Sequence, residues 1–450
     1  MSDSSVWFKA FINLVEHGTF TTNADLEVGK FFRPPGYSFL FGIFYLATFK
    51  NYVLAWELLV AAQVLMDIAS VFLIAGISKS IMKNGSAGKR NFFSNLSALL
   101  YAVYPTAIVF MPLLQAESSS VFFLLLSLWF AFRPVAQETA KIPAASLRNA
   151  FYSGAFAGIA TLIRLQCAFG IPFIMLAFIY PHAAKITTKV KYAFMFCLAV
   201  GITYGLWPMR NYLLHDRVLF SQDIGIGAHW SEDFLSFLDF THSISTDHTP
   251  FYWSILKNEK VNWPSAAYID PEDSLLLDSV VTMCRTCSNG FAYWRFGERL
   301  VPKLELHDKP CNSEVAGIFN SLTEKQKTKN AFHYWFMIPL QNLEKCFFKL
   351  TLYGNKPLML KIFSSVLFII RSLLVVLGLT GIFLAYKRGL LNKKFLVLVF
   401  GYMITWYLYI SIVHRNIEMR YLLHTDVILL IPAAFAIMQL LFNKYLKQYG

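Results

Sequence analysis

Six ionisable residues combine types that suit one another chemically: Asp3, Arg33, Glu117, Arg164, Arg210 and Arg420. Guanidinium groups hold phosphate through paired, planar hydrogen bonds, and a carboxylate can take a proton from a hydroxyl. Together with Arg415 and Glu418 they fall at the ends of apolar stretches that open on the same side of a membrane in the topology derived below. Arginines and carboxylates on one membrane face suit a lipid-linked phosphate donor and a hydroxyl acceptor.

Each residue also has a plainer reading. Glu117, in Pro112-Leu113-Leu114-Gln115-Ala116-Glu117, either caps the helix that follows or faces a water-filled cavity. Arg164 interrupts an apolar block, where it either snorkels to the interface or serves a function that justifies the cost of an intramembrane charge. Trp207-Pro208-Met209-Arg210-Asn211-Tyr212 reads as an interfacial anchor, and His414 to Tyr421 as a solvated, charged turn. Cys284 with Cys287, and His242 with Asp247 and His248, are weak metal patterns. No metal or other cofactor is expected.

The elements that must position these groups follow from composition. Of 450 residues, 56% are hydrophobic and 15% charged. The chain is expected to be an all-α polytopic membrane protein. Its net charge of +13 sits in short connections between apolar spans, where it sets orientation rather than binding nucleic acid. Nine spans are expected, at about 52–77, 93–111, 116–132, 150–164, 167–180, 192–209, 361–386, 395–413 and 421–442. Connections 79–91, 133–149, 181–191, 387–394 and the tail after 443 hold sixteen Lys and Arg. The opposite side, leaving out 210–360, holds six: Lys9, Lys30, Arg33, Lys50, Arg415 and Arg420. The N-terminus is therefore assigned outside and the C-terminus inside.

Phe31-Phe32-Arg33-Pro34-Pro35-Gly36-Tyr37 opens a run that ends near Phe49. Proline keeps Arg33 out of the helical region and lets a helix begin just after it. The run is too short to span and is expected to lie on the membrane or re-enter it. The chain divides into an extracytoplasmic loop with surface helices (1–51), a transmembrane core (52–209), a long extracytoplasmic region (210–360) and C-terminal spans (361–450). The long region holds Cys284, Cys287, Cys311 and Cys346, which allow three disulfide pairings or none.

Arg33-Pro34-Pro35-Gly36-Tyr37, Glu117, Gly158 to Arg164, Trp207 to Tyr212 and Arg420-Tyr421 occur in an order that resembles the C-type membrane glycosyltransferases (GT-C), in particular the bacterial dolichyl-phosphate-mannose-protein mannosyltransferase-like branch. The resemblance covers nearly the whole chain outside 235–345 and implies a polyprenyl-phosphate sugar donor used on the extracytoplasmic face of a plasma membrane. It implies Asp3 as the first-loop catalytic acid and Glu117 as the second; the departing phosphate needs positive charge where its own negative charge grows, and Arg33, Arg164, Arg210 and Arg420 are the candidates to bind it. A first family helix, upstream of Asp3, is expected to be missing. The acceptor hydroxyl, on protein, lipid or polysaccharide, stays open. A transporter or flippase of a lipid-linked or anionic substrate and a non-catalytic homologue are the alternatives; the former calls for internal repeats and polar sites near mid-membrane.

Overall fold

The computed structural model describes residues 4–22, 27–31, 33–83, 85–133, 144–180, 185–221, 231–296, 310–350 and 357–449. Among them all regular structure is helical apart from one bridge, between Met82 and Leu391. Asp3 lies outside the described residues.

The chain opens with α1 (Ser4–His17) and α2 (Gly36–Ala47), which pack together through Trp7, Phe8, Phe11, Tyr37 and Phe41. At 12 residues α2 is about 18 Å long, well under the ~30 Å of a hydrocarbon core. It leaves Phe39, Ile43 and Leu46 exposed on its outer face, as a helix lying in the interface does. Its start is set by Pro34 and Pro35, and the close seat of Gly36 fixes where it points. A Cβ at Gly36 would come within 2.6 Å of the Ile163 nitrogen, so only glycine lets α2 touch that backbone.

The bundle comprises α3 (Tyr52–Ile81), α4 (Ala87–Ala102), α5 (Pro105–Phe110), α6 (Glu117–Phe132), α7 (Ala144–Ile163), a 3₁₀ segment (Leu165–Gly170) running into α8 (Ile171–Ile179), α9 (Ile186–Thr203), and later α17 (Leu358–Arg388), α18 (Lys393–Tyr409) and α19 (Met419–Tyr449). Each of the nine expected spans falls on helix. Among the described residues five helical stretches are long and apolar enough to cross a membrane: Tyr52–Ile81, Ile186–Thr203, Leu358–Arg388, Lys393–His414 and Met419–Leu441. The chain is an integral, multi-pass membrane protein.

Local chemistry explains the boundaries. Asn51 accepts from the Leu54 amide at 3.1 Å and starts α3, and Asn392 does the same for α18 through Lys394 at 3.0 Å. Gly389, at φ 65°, closes α17. Pro105 separates α4 from α5 inside what reads as one span. The expected span ending at 209 stops earlier: α9 ends at Thr203, and α10 (Leu206–His215) begins after Gly205. Trp207 is consequently buried, donating to the Ser221 carbonyl at 3.0 Å, rather than anchoring at an interface.

The connections 82–86 and 389–392 meet at one end of the bundle. The Lys83 amide donates to Leu390 O at 2.7 Å and Asn392 to Ile81 O at 2.9 Å. Lys83 lies in the first, and Lys387, Arg388, Lys393 and Lys394 flank the second, in keeping with a shared side. Tight packing of α17 on α19 depends on small residues, since a Cβ at Gly378 would strike Leu429 and one at Gly381 the Pro432 carbonyl.

A separate helical unit sits at the other end: α11 (Glu232–Ile244), α12 (Thr249–Leu256), α13 (Asp273–Thr286), α14 (Asn289–Phe296) and α15 (Asn312–Lys329) around Phe234, Phe237, Phe240, Phe291 and Phe319. Cys287 bonds Cys311, which selects one pairing and leaves Cys284 and Cys346 as buried thiols. A π turn (His333–Met337) and α16 (Ile338–Phe347) follow, with Phe332, Trp335, Phe336 and Leu340 exposed. The unit is fastened to the bundle by Arg415, whose guanidinium donates to the Tyr334 carbonyl at 3.1 Å and the His242 carbonyl at 3.4 Å, and by Lys349, which bonds the Ile417 carbonyl.

Candidate functional site

Glu117 is the first residue of α6 and is fully buried. Its carboxylate does not cap the helix, since Ala116 occupies the cap position without a side-chain bond. It forms an ion pair with Arg164 instead. Arg164 reaches it because the chain there is extended (φ −144°, ψ 114°), a one-residue break between α7 and the 3₁₀ segment. The side chain is 11% exposed, so it is held inside and does not snorkel.

The segment that presents Glu117 is held by an amide. Gln63, on α3 and fully buried, donates from Nε2 to the Met111 and Leu113 carbonyls, both at 2.9 Å, and accepts from the Tyr37 hydroxyl at 2.6 Å. Loop 111–116, α2 and α3 are thus tied at one point. Backbone carbonyls outside regular helix need such partners in a membrane.

Two further cations reach this pair. The seat of Gly36 against Leu162 and Ile163 brings the preceding Arg33 to the end of α7, where its guanidinium lies 5.1 Å from the Trp7 ring centre. Arg420, at the start of α19, pairs through Nε with Glu418 Oε2 at 2.5 Å. Arg420, Arg33, Glu418 and Tyr421 all lie near enough to Arg164 to act on its charge. Arg33, Glu117, Arg164 and Arg420, far apart in sequence, therefore share one end of the bundle.

Arg210 is placed differently. Its guanidinium donates to Lys30 O (2.9 Å), Phe20 O (3.0 Å) and Asn211 Oδ1 (2.9 Å), among the rings of Phe20, Phe31 and Trp207. It ties α10 to the chain between α1 and α2. Asp3, the other expected carboxylate, is not described. Among the described residues no three His, Cys, Asp or Glu side chains gather as metal ligands; His242 meets only His248, at 3.2 Å.

Sequence reasoning missed a second buried pair. Arg371 on α17 binds Asp426 on α19 through Nε (2.9 Å) and Nη2 (3.1 Å). Nη1 also donates to the Phe347 carbonyl at 2.8 Å and Nη2 to the Cys346 carbonyl at 2.6 Å, both at the end of α16, and Tyr104 donates to Asp426 Oδ2 at 2.8 Å. Every polar atom of this pair is used, the mark of a structural bridge. It was findable as two ionisable residues in apolar spans.

The Glu117 pair is the opposite case. Glu117 Oε2 and, on the α19 face that meets α6 through Ser120, His424 Nδ1 are buried without a hydrogen-bond partner among the described residues. Buried polar atoms are rarely left so, and two of them at the end of the bundle that holds three guanidinium groups mark a place where polar ligand atoms belong.

Comparison with known proteins adds little to this geometry. No family model matches the chain, and no curated protein matches it. Among solved structures, the crystal structure of ArnT from Cupriavidus metallidurans in the apo state aligns over 97% of this chain and 73% of that one, at 13% identity and a TM-score of 0.28. Agreement that loose decides neither fold nor chemistry.

Proposed function

We propose that the chain is a C-type glycosyltransferase that moves a sugar from a polyprenyl-phosphate donor to a hydroxyl acceptor on the extracytoplasmic face, with inversion at the anomeric carbon. The observation that carries this reading is the incompletely satisfied Glu117–Arg164 pair with Arg33 and Arg420 around it. A fully bonded ion pair, such as Arg371–Asp426, has no capacity left for a ligand; this one has.

The chemistry runs as a single displacement. A carboxylate takes the acceptor proton, the acceptor oxygen bonds to the anomeric carbon, and the bond from that carbon to the phosphate oxygen breaks. Negative charge grows on the departing polyprenyl phosphate, and it needs fixed positive charge more than a proton. Arg33, Arg164 and Arg420 supply it. Asp3 is the proposed base. Glu117 holds Arg164 in place and orients the acceptor. Arg210 contributes indirectly, by fixing the chain that leads into Arg33. The prenyl chain would lie along the exposed apolar face of α2.

The test is sugar transfer in membranes from a radiolabelled polyprenyl-phosphate sugar pool, comparing the chain with its Arg33→Ala and Glu117→Gln variants. Loss of about a hundredfold or more in each variant is the expected result. Equal labelling with all three proteins present and folded would remove the proposed site and favour a transporter or scaffold.

A further inference from the structure

His424 belongs to the same end of the bundle and was invisible to the charge pattern. On α19 it lies one turn below Arg420, and on α6 Ser120 lies one turn below Glu117, so each pair shares a helix face. The two faces meet where Ser120 Oγ stands 2.7 Å from His424 Nε2. Ser120 also donates its only proton to the Glu117 carbonyl, at 2.8 Å. With that proton committed, Oγ can only accept from the ring, so Nε2 carries the hydrogen. The neutral ring then presents Nδ1 as a lone-pair acceptor. Nδ1 is buried, has no partner among the described residues, and belongs to a ring that the Arg164 charge reaches.

An acceptor nitrogen has nothing to offer a phosphate oxygen, but it matches a hydroxyl. We propose that His424 contacts ligand in the Glu117 site, its Nδ1 accepting a hydrogen bond from a hydroxyl of the sugar on the lipid phosphate. The guanidinium groups hold the phosphate and the imidazole reads the sugar. This rests on the glycosyltransferase reading for the identity of the ligand. It makes His424 the residue that separates sugar-bearing carrier from spent carrier, because a lipid without the hydroxyl leaves a buried acceptor unpaired.

The experiment is equilibrium binding to the full chain in nanodiscs, with undecaprenyl phosphate and undecaprenyl phosphate hexose as probes. The wild-type chain is expected to prefer the hexose form by about tenfold, the worth of one buried hydrogen bond. His424→Phe keeps the ring shape without its nitrogens, and should bind bare undecaprenyl phosphate as before while losing the preference. His424→Asn, with an amide oxygen near the Nδ1 position, should retain part of it. Ser120→Ala, which frees the ring from its one bond, should reduce it even if the phenylalanine variant does not fold. An unchanged preference in a folded His424→Phe or in Ser120→Ala, or no preference in the wild-type chain, overturns the assignment. Failure of the wild-type chain to bind either lipid instead overturns the glycosyltransferase reading beneath it.

Discussion

Replacing Gln63 by leucine tests how the acidic residue of the site is held. Gln63 is fully buried in α3 and makes three hydrogen bonds, to Tyr37, Met111 and Leu113. At about 1 kcal/mol net for each, Gln63→Leu should cost about 3 kcal/mol, with the Tyr37 hydroxyl stranded in apolar surroundings. Tyr37→Phe alone should cost about 1 kcal/mol. Added to Gln63→Leu it should cost nothing further, because the bond it removes is already gone and a stranded hydroxyl goes with it. Reversible unfolding in mixed micelles reads all four corners of this cycle. The second consequence is kinetic. Loop 111–116 loses its tie, and a displacement of Glu117 on the order of 1 Å should slow sugar transfer about a hundredfold. Stability within about 0.5 kcal/mol of wild type for Gln63→Leu, or strict additivity of the two substitutions, would refute this account of how Glu117 is placed.

Two more expectations concern other parts of the molecule. Asp426→Asn strips the buried Arg371 of its counter-charge and should cost about 3–5 kcal/mol in the same unfolding assay, against about 1 kcal/mol for Tyr104→Phe, which removes one neutral donor. Acid should loosen the helical unit: burial, helped by the neighbouring His248, His414 and Arg415, pushes His242 down to about 3, while Asp247 opposes this. Its affinity for a proton is thus lower folded than unfolded, so its contribution is whole above about pH 6.5 and declines as pH falls from there towards about 3, by about 1.4 kcal/mol per pH unit while only the unfolded chain is protonated. Protection factors for amide exchange in α11 and α12, taken against the intrinsic rate at each pH, should fall between pH 7 and pH 5; equal protection at both would count against it.

Much of the scaffold was legible in the sequence because bilayer thickness acts on every span independently of its partners. Apolar runs separated by basic connections gave nine segments, and each is helical. Arg33-Pro34-Pro35-Gly36 was legible as a helix start because proline geometry is local, and Arg164 as a break because an isolated charge in an apolar block stands out. What could not be read were relations over distance. Tyr104 meets Asp426 across 322 residues, and nothing near either one signals the other. Gln63, Ser120 and His424 look like tolerated polar residues in apolar helices until their partners are seen. The arginines divided for the same reason. Arg210 and Arg415 have the composition of phosphate ligands, yet donate to backbone carbonyls left outside regular helix, while Arg33, Arg164 and Arg420 share the end of the bundle that holds Glu117.

The central claim, that lipid phosphate binds where Glu117, Arg164, Arg33 and Arg420 meet, is tested most directly by mapping a photoreactive polyprenyl phosphate on the full chain. The benzophenone is placed on the first isoprene unit, and labelled peptides are read by mass spectrometry. Label on α2 and on the first turns of α6 and α19, reduced by Arg33→Ala and competed by unmodified polyprenyl phosphate, is the expected result. Label confined to the opposite end of the bundle, around Lys394 and the 82–86 connection, would contradict it.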